Sequence, residues 1–148
     1  MILTFMNSHF EQLWQHYQST EFLLTQQLSL SSSFAIVTAH NPEGQILTSC
    51  QNRLRDRALL RDIESYGVPY RALVGASNDL AHMEKSWAVF LSKADSLALA
   101  RRYQQNAIYY VIQDQLELLP CVAEATAVSL GSFSKRVRLV TELPDLGR

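Results

Sequence analysis

The chain has 148 residues, of which 47% are hydrophobic and 18% charged, and its formal net charge is −1. That length suits one domain with a core large enough to need no staples, and the composition argues against disorder. A nearly neutral charge supplies no global field to recruit nucleic acid or an anionic membrane surface, so neither is expected as a partner.

The start of the chain, MILTFMNSHFEQ, has no Lys or Arg before its short apolar run and no small-residue cleavage site, so a signal peptide is not expected. No apolar stretch approaches the ~20 residues that span a bilayer. The cysteines, Cys50 and Cys121, form no C-x-x-C pair, and the simplest expectation is two free thiols in a reducing cytoplasm.

In chain order, Asn7 or Ser8 is placed to cap a helix running to about Gln18, with Phe10, Leu13, Trp14 and Tyr17 recurring at helical spacing. Thr20 to Thr25 reads as an edge strand and Gln26 to Ser33 as a polar loop. Phe34 to Ala39 is a strand rich in β-formers. It runs into Asn41-Pro42-Glu43-Gly44, where Pro sets φ, Gly tolerates positive φ and Asn forms local side-chain turns.

Ser49 to Tyr66 predicts the clearest helix, stopped by Gly67 and Pro69. Tyr70 to Ala76 and Ser86 to Leu91 read as strands, and Ala94 to Tyr103 as a second long helix. Ala107 to Ile112 and Leu116 to Leu119 predict a hairpin turning at Gln113-Asp114-Gln115. The resulting β-α-β-β-α-β order, with a helix in front and extra strands, predicts one α+β domain over residues 1–121: helices packed on a mostly antiparallel sheet. Residues 122–148 read as an appended strand or a partly mobile tail. There, Lys135, Arg136 and Arg138 form a short basic run, by default a solvated face.

On the central helix, Asn52, Asp56, Leu59, Ile63 and Tyr66 fall on one stripe, with Arg53, Arg57, Arg61 and Glu64 to the other side. The inward stripe is thus polar at its N-terminal end, close to the His40–Gly44 turn. A helix start with free N–H groups suits an anionic or carbonyl-bearing ligand, whereas the bland alternative has Asn52 and Asp56 bonded to the incoming loop. Glu84 and Ser86 precede an apolar run, and Glu84 is the candidate acid or base. Its bland alternative is an ion pair with Lys85 or an arginine.

His82-x-Glu84 with Pro120-Cys121 only partly matches a zinc-deaminase pattern, because the final cysteine is replaced by Glu124. His40, Cys50, His82 and Cys121 have no metal-ligand spacing, so no metal site is expected. A Cys50–His40 nucleophile pair would lack a third orienting group. No phosphate-binding glycine loop and no nucleophile elbow is present, and no cofactor is implied.

The series T-A-H-N-P-x-G (38–44), N-R-L-R-D (52–56), V-G-A-S (74–77), E-K-S-W-A-V (84–89) and R-R-Y-Q-Q-N-A-I-Y-Y (101–110) resembles a family of small bacterial proteins known as a domain of unknown function (family three-two-nine-three). The resemblance runs from about Tyr17 to Cys121. The family's recurrent polar positions correspond to Asn41, Asn52, Arg53, Glu84, Ser86 and Gln105. The family has an aromatic at the position of His40, an acidic residue at Lys85 and a glycine at Gln104. No activity, cofactor or partner follows from the resemblance.

Together these readings point to an α+β domain whose cleft takes a small polar ligand such as a nucleotide or metabolite. Asn41, Asn52, Ser86 and Gln105 would give polar contacts, Arg53 an anion contact, and Glu84 a charged acceptor or base. The alternative is a protein-interaction or regulatory module in which those residues are structural. A homodimer through an exposed sheet edge is also open.

Overall fold

The computed structural model describes residues 8–123 and 125–146. Helix α1 spans Ser8–Gln18, and the Asn7 cap expected before it lies outside the described residues. Strands β1 (Glu21–Leu24) and β2 (Ser33–Val37) lead to a short 3₁₀ turn at Pro42–Gly44 and then to helix α2 (Ser49–Ser65). Strands β3 (Tyr70–Ala76) and β4 (Met83–Val89), helix α3 (Lys93–Arg102) and strands β5 (Ala107–Ile112) and β6 (Gln115–Pro120) follow. Strands β7 (Val128–Ser132) and β8 (Val137–Leu139) complete the chain. The molecule is an α+β domain.

Local chemistry accounts for most of these boundaries. Thr48 and Gln51 form a reciprocal capping box that starts α2: the Thr48 hydroxyl accepts from the Gln51 N–H, and the Gln51 side chain accepts from the Thr48 N–H. Gly67, at φ 68, takes the left-handed conformation that lets the chain leave the helix. Ser92 caps α3 by accepting from the Asp95 N–H. Between β5 and β6, Gln113 and Asp114 both have positive φ (47 and 66), the pairing that a two-residue hairpin turn requires.

All eight strands form one sheet in the order β7-β6-β5-β2-β4-β3-β1-β8, antiparallel throughout except for β1 with β8. The outermost strands are joined through residues 133–136 alone, so the sheet must curl until its two edges face each other. Arg136 spans that seam. Its guanidinium donates to the carbonyls of Gln18 (2.8 Å) and Thr20 (3.2 Å), just before β1, and to that of Leu130 (3.4 Å) on β7. Inside the curl Phe22, Phe34, Ile36, Leu73, Val111 and Phe133 pack together. The outer face buries Val37, Trp87, Val89 and Ile108 beneath Leu59 and Ile63 of α2 and Leu99 of α3.

The expected edge strand near Thr20 is corrected: β1 is interior, flanked by β3 and β8. Strand β4 begins three residues before Ser86, because polar Glu84 and Lys85 pair fully with Gly75 and Val74 of β3. Of the basic run only Arg136 belongs to the seam, while Lys135 and Arg138 are exposed. Arg138 pairs with Glu21 and donates to the Asn78 carbonyl (3.2 Å). Among the described residues no helix is long and apolar enough to cross a membrane.

Candidate functional site

The turn after β2 begins with Asn41 in the left-handed region (φ 48, ψ 68), a conformation that Asn tolerates better than most residues. There it meets α2 and β4 together. The Asn41 N–H donates to Asn52 Oδ1 (2.9 Å), and Asn52 Nδ2 returns a bond to Asn41 Oδ1 (3.0 Å). Asn41 Oδ1 also accepts from the Leu47 N–H (3.0 Å), while Asn41 Nδ2 donates to Glu84 Oε2 (3.0 Å). The structure therefore brings Asn41, Asn52 and Glu84 into one cluster whose groups bond to each other.

The remaining predicted residues sit around that cluster. Ser86 is buried, and its hydroxyl donates to the Glu84 carbonyl (3.2 Å). Gln105 Nε2 donates to the carbonyls of His40 (3.1 Å) and Tyr103 (3.2 Å), so it supports the backbone of the turn. Gln104 takes φ 54, a left-handed position where a glycine would carry no strain, and its carbonyl accepts from the Glu43 N–H (2.8 Å). Arg53 is exposed and borders a cleft that the Asn41–Asn52–Glu84 cluster does not line.

That cleft encloses about 330 Å³ on the helix-covered face of the sheet. Its polar wall is His40 in the turn after β2, Arg53 and Asp56 on α2, and Lys85 on β4. Leu143, Pro144 and Leu146, with Ala72 of β3, form the apolar wall, and Asp145 stands at its rim. The segment after β8 reaches this place because Leu143, Leu146 and Val140 pack on Leu23, Val74, Ala76 and Met83. Alternation along β4 puts Lys85 on the cleft side with Trp87, and Glu84 on the opposite side with Ser86 and Ala88.

Asp56 organises the polar wall. Its Oδ1 accepts from Trp87 Nε1 (2.8 Å) and its Oδ2 from Lys85 Nζ (3.3 Å), while the Lys85 ammonium lies 4.2 Å from the centre of the Trp87 ring. His40 is only 6% exposed, yet no hydrogen bond joins its imidazole to another described residue. Burial lowers the His40 pKa, against the pull of Asp56, so the ring is neutral near pH 7. Burial pushes the Glu84 carboxyl the other way, up to about 7, with the Asn41 hydrogen bond opposing.

Sequence reasoning placed Asp56 on the inward stripe but did not connect it to Lys85 and Trp87. It also missed Leu143 and Leu146 altogether. Their signal was the apolar spacing of Leu139, Val140, Leu143 and Leu146 in a stretch with no other pattern. Cys50 and Cys121 are free thiols, the first exposed and the second half-buried. Among the described residues no group of three or more His, Cys, Asp or Glu side chains is placed to hold a metal ion.

No curated protein and no solved structure matches the chain. Residues 37–108, which run from the end of β2 through α2, β3, β4 and α3 into β5, match the model of a family described as a protein of unknown function, DUF3293. They hold His40, Asn41, Asn52, Arg53, Asp56, Glu84, Lys85 and Gln105, so the similarity to that family covers the turn, α2 and β4.

Proposed function

We propose that the protein binds a small polar molecule in the cleft bordered by His40, Arg53, Asp56 and Lys85. One observation carries the reading. The largely buried imidazole of His40 lines a cleft of about 330 Å³ alongside two cationic side chains, Arg53 and Lys85. An imidazole at the wall of such a cleft offers a ligand one donor and one acceptor in a partly desolvated place. The volume is within the range of small-molecule sites. In this reading Arg53 contacts the ligand directly. Asn41, Asn52, Glu84, Ser86 and Gln105 form the frame that fixes the turn and so aims His40.

A thermal-shift screen of metabolites and nucleotides tests it, run on the wild-type chain and on Arg53→Met. A true ligand at a hundred times its Kd raises the wild-type Tm by roughly 5–10 °C, and raises the variant's clearly less. No hit across a broad library sinks the proposal. It would favour an interaction module, for which the exposed side chains of Ile46 (87%) and Leu54 (58%) near the start of α2 are the supporting feature.

A further inference from the structure

We infer that the outward face of α2 docks an acidic, amphipathic segment of a partner protein, its carboxylates on Arg57 and Arg61 and its apolar side chains on Ile46 and Leu54. The inference is independent of the cleft, which none of these four residues lines.

The sequence of α2 fixes which charges face outward. At 100° per residue Cys50, Leu54, Arg57 and Arg61 fall on one stripe, on the far side of the helix from the buried Asn52, Leu59 and Ile63. The three carboxylates of the helix are engaged elsewhere. Asp56 accepts from Trp87 and Lys85, and Asp62 accepts from the Tyr103 hydroxyl and pairs with Arg102. Glu64 accepts from the Tyr70 hydroxyl (3.3 Å). Arg55 is likewise drawn inward, onto the carbonyls of Ala39 and Tyr103. Arg57 and Arg61 are exposed, and no ion pair joins either of them to another described residue. One turn apart, they repel each other, and an acidic chain lying along the helix relieves that repulsion.

The apolar half of the surface sits at the start of the same helix. Leu54 is 58% exposed, and Ile46, two residues before the Thr48 cap, is 87% exposed. Cys50, also exposed, stands one turn before Leu54. From Cys50 to Arg61 the stripe runs about 17 Å, the length of a short helix or of about five extended residues. The combination selects the occupant. A phosphate backbone would match the arginines but bury nothing on Ile46 and Leu54, and the chain's net charge of −1 gives no long-range attraction for a polyanion. A wholly apolar partner would cover the two guanidinium groups without supplying countercharge. A segment with acidic groups toward one end and apolar groups toward the other meets both halves.

The test is an NMR titration of the full-length, ¹⁵N-labelled protein with a helical peptide of Glu, Leu and Ala, its Glu and Leu residues spaced to meet the two halves of the stripe. Controls are the same peptide with Glu replaced by Lys, the same with Leu replaced by Ser, an oligouridine RNA, and vesicles of phosphatidylserine and phosphatidylcholine. The acidic amphipathic peptide should shift the amides from Ile46 to Arg61 saturably, with affinity at least about tenfold above every control. Leu54→Ser should weaken it about fivefold. Arg57→Glu and Arg61→Glu together should abolish it and turn the preference to the Lys peptide; the spectrum of each variant reports its own folding. The Ser peptide binding as tightly overturns the apolar half of the surface. RNA or vesicles binding more tightly overturn the protein partner. Shifts at these amides that grow with protein concentration alone assign the face to a second copy and overturn a foreign one. If no peptide moves these amides, the inference falls, while the ligand reading of the cleft, tested by the metabolite screen, stands or falls separately.

Discussion

Two polar clusters share the turn after β2, and they differ in one respect. In the Asn41–Asn52–Glu84 cluster the donors and acceptors meet each other, so the chain is tied across 43 residues of sequence by a hydrogen bond between Asn41 and Glu84. In the cleft next to it, His40 is buried beside Arg53 and Lys85 with its ring unmatched by any described residue. Residue type does not separate the two clusters, since both hold groups that serve in binding sites. What separates them is that one ties its groups to each other across the fold, while the other lines a cleft. A cluster closed on itself orders a backbone, and one that lines a cleft is placed to meet a ligand.

The largest test of this contrast is Asn41→Ala. It deprives the Leu47 N–H, Asn52 Nδ2 and Glu84 Oε2 of a partner and leaves alanine in the left-handed region. Urea unfolding should show a loss of about 3 kcal/mol, with Asn41→Gly recovering about 1 kcal/mol by relieving the backbone. A loss below about 1 kcal/mol for alanine would mean that the cluster does not hold the turn.

The next test uses pH. Glu84 holds its proton more tightly folded, with a pKa of about 7 against an ordinary 4.5, because of burial. The folded state then binds more protons than the unfolded state between those values, so stability falls as pH rises through that window and levels off above it. Glu84→Gln keeps an oxygen for Asn41 Nδ2 and removes the titration. It should match the wild type near pH 5 and exceed it by about 1–2 kcal/mol near pH 8, discounted for the solvent contact that Glu84 retains. Parallel pH profiles for the two proteins would remove Glu84 from the buried frame.

The smallest expected effect sharpens the comparison most. Arg53 follows Asn52 in the chain but borders the cleft, so Arg53→Met should change unfolding free energy by no more than about 0.5 kcal/mol while weakening ligand. A large loss of stability there would make the cleft another structural cluster.

Much of the fold was legible along the chain. The span of α2 follows from its apolar period and its Gly67-Pro69 stop, and the β5–β6 hairpin from two apolar runs about a polar turn. These signals act between residues close in sequence, where period, caps and φ preferences operate. Tertiary structure alone decided that β1 is interior, that Arg136 closes the seam and that Leu143–Leu146 wall the cleft. It also decided that Asn41 spends its amide on Glu84 while His40 is left facing a cavity. Hydrogen-bond satisfaction depends on atoms brought together from distant segments, and neither periodicity nor turn chemistry carries that information.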